Sequence, residues 1–116
     1  MMELKSHDEW SERANGTSFS GYLKISYRDL TTILGKPRVG TDEYKTDAEW
    51  HVSIFMNGED AGFVTIYNYK DGKNYQGANG LNVEDITNWH VGSKTKWDYY
   101  NLTDAIDSEL EHIKTV

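Results

Sequence analysis

The residues best suited to chemistry lie in one stretch of the chain, Phe63–Gly80, and in the short segment Asn88–His90 that follows it. Aromatic rings stack on flat ligands, amide groups hydrogen-bond to ring edges, and ammonium groups pair with phosphate. Aromatic, amide and lysine side chains occur together in this stretch, and the combination is typical of a site for a small planar or anionic ligand. The candidate ligand-binding residues of this stretch are Tyr67, Asn68, Lys70, Asn74, Tyr75, Trp89 and His90.

The same residues also have an ordinary structural interpretation. Tyr67 and Trp89 would then belong to the core, and Tyr69 and Tyr75 would cover the edge of a sheet. The lysines of the glycine-rich loop would keep that edge soluble. The sequence leaves both interpretations open.

No pattern in the sequence predicts catalysis or a metal site. The chain has no cysteine, which excludes a thiolate nucleophile and a cysteine-ligated zinc site. The four histidines are scattered without the spacing of metal ligands, and no serine lies in a nucleophile elbow. We therefore predict that the protein is not an enzyme and has no catalytic residue, metal ligand or cofactor.

The net charge restricts the partners. Twelve basic residues against nineteen acidic ones give a net charge of −7, which argues against binding to a nucleic-acid polymer or an anionic membrane. Several acidic residues gather in the last predicted helix. Such a surface either imitates a nucleic-acid backbone to block a partner or, more commonly, keeps the helix hydrated. These residues are Asp98, Asp104, Asp107, Glu109 and Glu111.

Strands and helices of an α+β domain must position these residues. Apolar residues alternate with polar ones from Ala48 to Met56, which predicts a half-buried strand with Glu49, His51 and Ser53 on its second face. Phe63–Tyr69 is the predicted return strand.

A strand before these and another after them complete a mostly antiparallel sheet of about four strands. Two helices pack on it, in the order β-α-β-β-β-α. Ser26 and Gly35 mark the predicted ends of the first helix. Residues 1–20 are predicted to be a flexible or loosely docked leader, and residues 21–116 a single domain.

Four runs of the sequence carry a resemblance to a known family. They are Leu34-Gly-Lys-Pro37, Lys45-Thr-Asp-Ala-Glu-Trp50, Thr65-Ile-Tyr-Asn-Tyr-Lys-Asp-Gly-Lys-Asn-Tyr75 and Trp89-His-Val-Gly92. Together they resemble a family of small bacteriophage-encoded proteins. Within that class the chain is similar to the Thoeris anti-defence sponges, which sequester nucleotide second messengers such as cyclic ADP-ribose derivatives.

The resemblance implies a counter-defence protein of the host cytoplasm that holds a small nucleotide-type signalling molecule without turning it over. The implied partner is a cyclic nucleotide or an ADP-ribose derivative, and the implied assembly is a homo-oligomer. An arginine side chain often binds pyrophosphate through two parallel hydrogen bonds, and this chain has only three arginines. Arg28, in the first turn of the first helix, is the candidate to assist.

Two alternatives stay open at this stage. One is a phage inhibitor that binds a host defence protein or a nucleic-acid-processing protein through the acidic helix. The other is a virion or replication accessory protein.

Overall fold

The computed structural model describes residues 2–38 and 46–115, so that Met1, residues 39–45 and Val116 lie outside the description. The described residues form five strands, two longer α-helices and one short one. The strands are β1 (Met2–His7), β2 (Ser18–Lys24), β3 (Glu49–Met56), β4 (Glu59–Tyr67) and β5 (Asn88–Ser93). The helices are α1 (Tyr27–Leu34), the short α2 (Lys73–Gln76) and α3 (Lys96–Thr115).

All five strands belong to one antiparallel sheet in the order β1-β3-β4-β5-β2. The α+β class is confirmed, but the predicted number of about four strands and the predicted element order are wrong. The additional strand is β1, within the predicted leader, and it pairs with β3 from Met2 opposite Met56 to His7 opposite His51. An edge strand needs few apolar residues, which is why this polar run gave no strand signal.

One face of the sheet packs against α1 and α3. Because side chains alternate along a strand, Trp50, Val52 and Ile54 all point to this face, and they are fully buried. Leu30 of α1 and Leu102 of α3 fill the space against them. This layer holds most of the apolar core.

The ends of α1 are set as the sequence predicts. The Ser26 hydroxyl oxygen accepts a hydrogen bond from the Asp29 N–H at 3.1 Å, which confirms the N-cap. Gly35 ends the helix with a φ of 86°, a left-handed value that glycine adopts without steric cost. The carbonyl of Gly35 then accepts the indole N–H of Trp50 at 2.9 Å, which ties this helix end to the sheet.

The chain crosses the other face of the sheet between its first two strands. Because β1 and β2 lie at opposite edges, residues 8–17 must pass over the strands between them. In this crossing segment the ring of Trp10 lies 5.0 Å from the ring of His51, and Arg13 pairs with Asp60 of β4 at 3.1 Å. The segment therefore covers part of the face that the helices leave uncovered.

Side chains of α3 also reach the edge strand β2. The N–H of Ile25 donates to the Thr87 carbonyl at 3.0 Å, on the β5 side, and backbone groups point to alternate sides along a strand. The carbonyl of Tyr22 consequently points away from β5, where it accepts the Tyr99 hydroxyl at 2.6 Å. The Lys96 ammonium group donates to the Ser20 carbonyl on the same strand.

Candidate functional site

The sheet face opposite the helices carries polar and aromatic side chains. Glu49 and His51 come from β3, Thr65 and Tyr67 from β4, and His90 from β5. They occupy the alternate positions of the strands that hold the apolar core, as the period of two requires. Since the crossing segment covers only part of this face, two adjoining cavities remain.

The first of these, the inner cavity, has a volume of about 260 Å³. It lies beside the crossing segment, and Trp10 forms one wall. Its lining includes Trp10, Glu49, His51, Thr65, Tyr67 and Tyr69.

The second, the outer cavity, has a volume of about 410 Å³ and opens toward the β2 edge. Its lining is aromatic throughout: Phe19, Tyr22, Tyr67, Tyr69 and His90. Tyr67 and Tyr69 line both cavities, so the two adjoin across these rings, and we call the pair of cavities the aromatic groove.

A fixed polar network forms the floor of the inner cavity. His51 is fully buried, its Nδ1 accepts the Ser11 N–H at 3.4 Å, and its Nε2 lies 2.6 Å from Oε2 of Glu49. An Nδ1 that accepts carries no proton, so the ring proton lies on Nε2 and is donated to Glu49. Arg38 adds a 3.3 Å ion pair to the same oxygen. The floor is therefore held rigidly from several sides.

The same network positions Trp10. The guanidinium carbon of Arg38 lies 5.8 Å from the Trp10 ring centroid, within cation–π range, while His51 meets the ring edge to face. An indole held on two sides is a pre-formed wall for a flat ligand.

His90 is the centre of the outer cavity. Its ring stacks on Tyr67 at 5.5 Å and lies 5.1 Å from Tyr22 and 5.2 Å from Phe19. Burial lowers the pKa of His90, and Asp71 opposes that shift. Burial also raises the pKa of Tyr67, with Glu49 adding to the effect. Both rings are therefore uncharged near neutral pH, which favours stacking over ion pairing.

One predicted cation lies at the rim. The ammonium nitrogen of Lys70 is 5.1 Å from the Tyr69 ring and 5.3 Å from the Tyr75 ring. Lys70 has a φ of 62°, a left-handed value that is uncommon for residues with a side chain. This conformation turns the chain beside the groove, three residues after β4 ends.

The structure brings some of the predicted site residues together. Tyr67 and His90 lie in the groove, Lys70 lies at its rim, and the exposed Tyr75 touches Lys70 from outside. The other four predicted residues, Trp89, Arg28, Asn68 and Asn74, do not line the groove.

Trp89 and Arg28 belong to the opposite side of the sheet. Trp89 is 0% exposed, and its indole N–H donates to the Ile25 carbonyl at 3.0 Å. It neighbours His90, so strand alternation points it into the core. Arg28 is exposed on α1, which packs on the same core face, and does not reach the groove.

Asn68 and Asn74 hold the loop together. The side-chain oxygen of Asn68 accepts the N–H groups of Asp47 at 2.7 Å and Ala48 at 3.0 Å, and its amide donates to Asp47. The Asn74 amide donates to the Thr46 carbonyl at 3.0 Å. Their amides are engaged with the protein itself, so they shape the site from below.

The sequence interpretation missed several groove residues. The alternation of β3 placed Glu49 and His51 on the second face but did not indicate what covers that face. Trp10 comes from the crossing segment, and nothing local in its sequence predicts a sheet contact. Phe19 and Tyr22 lie on an edge strand, and nothing in the sequence around them indicates a ligand site.

Two further features bear on function. Among residues 2–38 and 46–115, no group of three or more histidine or acidic side chains is arranged to hold a metal ion. Within the same residues, no helix combines the length and the apolar character needed to cross a bilayer.

Comparisons with protein-family models, with curated proteins and with solved structures gave no match. The resemblance to small phage proteins therefore stays a prediction. The function must be argued from the groove itself.

Proposed function

We propose that the protein binds a small planar ligand of the nucleotide type in the aromatic groove and holds it without chemical change. One observation carries this proposal. Two adjoining cavities on one sheet face share Tyr67 and Tyr69 and are walled by further rings. Pockets for small ligands are concave and mostly apolar, with a few fixed polar groups, and this groove has that composition.

The exposure of the rings supports a ligand. Phe19 is 50% exposed and Tyr22 is 51% exposed, although each packs edge to face against the other. Large aromatic groups that remain hydrated beside a cavity indicate a surface that is covered by something else. A flat ring that displaces this water gains apolar burial and stacking energy.

The cations near the groove support a ligand that carries some negative charge. Lys70 lies at the rim beside Tyr69, whereas the charge of Arg38, behind Trp10, is paired with Glu49. The net charge of −7 opposes anions in general, so Lys70 must provide most of the attraction. A nucleotide combines a flat base with a phosphate and matches both features.

The network on the floor supports binding over catalysis. Both ring nitrogens of His51 are engaged, one by Ser11 and one by Glu49. A general base needs a nitrogen that can take the proton of the reacting group. His51 is therefore unsuited to act as a general base, which supports sequestration without turnover.

Thermal unfolding with added nucleotides tests the proposal. A ligand at about 100 times its Kd stabilises the folded state by about 2.7 kcal/mol, which raises the Tm of a domain of this size by several degrees. We expect such a rise with at least one of AMP, cyclic AMP, ADP-ribose and NAD⁺. Tyr67→Ala should abolish the rise, whereas Tyr100→Ala, an exposed tyrosine on α3, should leave it intact. No rise with any of the four would contradict the proposal.

The absence of turnover has its own test. After overnight incubation, the bound nucleotide is released by heat and examined by chromatography. We expect it to be recovered unchanged in full. Recovery of a product would favour an enzyme instead.

The resemblance extends the proposal to biology. We propose that a phage produces the protein in the host cytoplasm and that binding removes the nucleotide signal of a host defence system. In that setting, expression of the protein should rescue phage growth on a defended host, and Tyr67→Ala should remove the rescue. If the Tyr67→Ala protein still rescued phage growth, the rescue would not depend on the groove.

A second candidate function uses α3. Trp97 is 74% exposed, and it lies beside the exposed Tyr100 at the start of a helix with an acidic outer surface. Exposed aromatic groups near acidic residues favour contact with a basic host protein. Replacing Asp104, Asp107 and Glu111 by lysine should then abolish capture of that protein and leave nucleotide binding unchanged.

A further inference from the structure

We infer that the ligand of the aromatic groove has two flat ring systems joined by a polar linker, with one ring in each cavity. This inference rests on the proposed function and makes it more specific. The shared walls of the two cavities carry it.

The sizes of the cavities support two rings. Pockets for drug-sized ligands occupy roughly 300–1,000 Å³. The inner cavity, at about 260 Å³, lies just below this range and suits one ring system. The outer cavity, at about 410 Å³, adjoins it across Tyr67 and Tyr69. A ligand with a single base would leave one aromatic cavity filled with water.

The two cavities differ in chemistry, so the two rings should differ too. The inner cavity offers the Thr65 hydroxyl above the mutually bonded Glu49 and His51, so it suits a ring whose edge forms a hydrogen bond. The outer cavity offers only tyrosine, phenylalanine and the uncharged ring of His90. It suits a ring that binds by stacking.

Tyr67 and Tyr69 separate the cavities, and the linker must pass over them. Lys70 lies 5.1 Å from Tyr69 at this point and provides one positive charge. With a net charge of −7 on the protein, a linker of low net charge is favoured. A pyrophosphate or phosphodiester linker with one or two negative charges meets this condition, and dinucleotides have such linkers.

Joining the two rings should raise the affinity. Once one ring is bound, the linker holds the second near its cavity at a high effective concentration. Overall affinity can then exceed that of either half by about 100-fold or more. A two-ring ligand should therefore bind far more tightly than its separated halves.

Calorimetric titration compares the halves with the whole. The two-ring probes are NAD⁺ and cyclic di-AMP, and the one-ring probes are AMP and nicotinamide mononucleotide. We expect at least one two-ring probe to bind ten times more tightly, or better, than every one-ring probe. Equal affinity for AMP and both two-ring probes would overturn the inference and leave the proposed function standing. No binding by any of the four would overturn both.

A variant of the outer cavity sharpens the test. Replacement of Phe19 and Tyr22 by alanine should lower the affinity for the two-ring probe about tenfold or more, as removal of a stacking ring generally does. The same double variant should leave AMP binding unchanged, which also shows that the protein is folded. A two-ring probe that binds the double variant as tightly as the wild type would contradict the inference.

Lys70→Gln tests the linker. The variant should lower the affinity for the two-ring probe and reduce its dependence on salt, since one ion pair is lost. Lys73→Gln, a change of the same kind at the first residue of α2, is the matched control and should alter neither. Equal effects of both variants would show that the linker does not pass beside Lys70.

Discussion

The two faces of the sheet are built from the same strands but differ in character. On β3, Trp50, Val52 and Ile54 face the helices, while Glu49 and His51 face the groove. The helix-facing side chains are aliphatic, apart from the indole of Trp50, and all three are buried. The groove-facing set is polar and aromatic and is covered only where the crossing segment passes. A strand that alternates in this way supports stability on one side and recognition on the other.

Trp89 and His90 show the contrast at adjacent positions. Trp89 is fully buried, and its one polar group bonds to the Ile25 carbonyl. His90 is half-buried among aromatic rings, and its Nδ1 has no hydrogen-bond partner among the described residues. Leaving a buried polar atom unpaired costs about 1–3 kcal/mol, so the groove face accepts a cost that the helix face avoids. Such a cost is typical of a functional surface.

The largest effect should come from Trp89. Trp89→Ala removes a fully buried indole from the core, which should lower the free energy of unfolding by about 3–5 kcal/mol. Tyr67→Ala, on the groove face, should abolish nucleotide binding at a much smaller cost in stability. Urea denaturation and calorimetric titration of both variants make the comparison.

Trp89→Phe is the matched control for Trp89→Ala. It keeps an aromatic ring in the core and should retain nucleotide binding. Loss of binding in a folded Trp89→Phe protein would mean that Trp89 contributes to the ligand site from behind the sheet.

The next effect should come from Asn68, below the groove. Asn68→Ala leaves two backbone N–H groups, those of Asp47 and Ala48, without their acceptor. Each unpaired buried group costs about 1–3 kcal/mol, and because the Asp47 N–H is only partly buried we expect a total near the lower end, about 2–3 kcal/mol, in urea denaturation. A loss of nucleotide binding without loss of stability would instead make Asn68 a direct ligand contact.

A smaller effect should appear as a pH dependence of stability. The pKa of His90 is lowered by burial, so the unfolded chain binds a proton more readily than the folded one. As the pH falls below about 6.5, protonation therefore favours unfolding, and stability decreases until the folded pKa is passed. Denaturation midpoints measured from pH 7.5 to pH 5 should fall in the wild type and fall less steeply in His90→Asn.

Part of the pH dependence should survive in His90→Asn. Burial lowers the pKa of His7 as well, and Lys5 adds to that shift, so His7 acts in the same direction. In the double variant His7→Asn, His90→Asn the stability should depend on pH even less. An unchanged slope in all three proteins would assign the pH dependence to other groups.

The smallest effect should come from Arg28. Its side chain is exposed on α1, behind the sheet, so Arg28→Ala should change the free energy of unfolding by less than about 0.5 kcal/mol. Nucleotide affinity should also remain as in the wild type. A clear loss of affinity would contradict the assignment of the site to the opposite face.

The sequence allowed the central strands and both longer helices to be predicted, because their signals are local. Alternation marked β3, and Ser26 and Gly35 marked the ends of α1. The β1 strand escaped because its partner, β3, lies more than forty residues away, and its own residues are mostly polar. Local sequence does not encode such long-range pairing.

The site was predicted only in part for the same reason. Tyr67, Lys70 and His90 lie on or next to strands with clear patterns, so their neighbourhood could be inferred. Trp89 and His90 are adjacent, and the local sequence does not fix which of the two faces the core, so both the core and the ligand-site interpretation of Trp89 stayed open. Trp10 reaches the groove only because the chain must cross from one edge of the sheet to the other, which is a property of the topology.

The contacts of α3 with β2 have a consequence for assembly. An edge strand whose carbonyls point outward can template a strand from another molecule, which leads to domain swapping or aggregation. Here the Tyr22 carbonyl is occupied by the Tyr99 hydroxyl, and the Ser20 carbonyl by the Lys96 ammonium group. An incoming strand would have to displace both before it could pair. The contacts of Tyr99 and Lys96 thus oppose intermolecular sheet growth at the β2 edge.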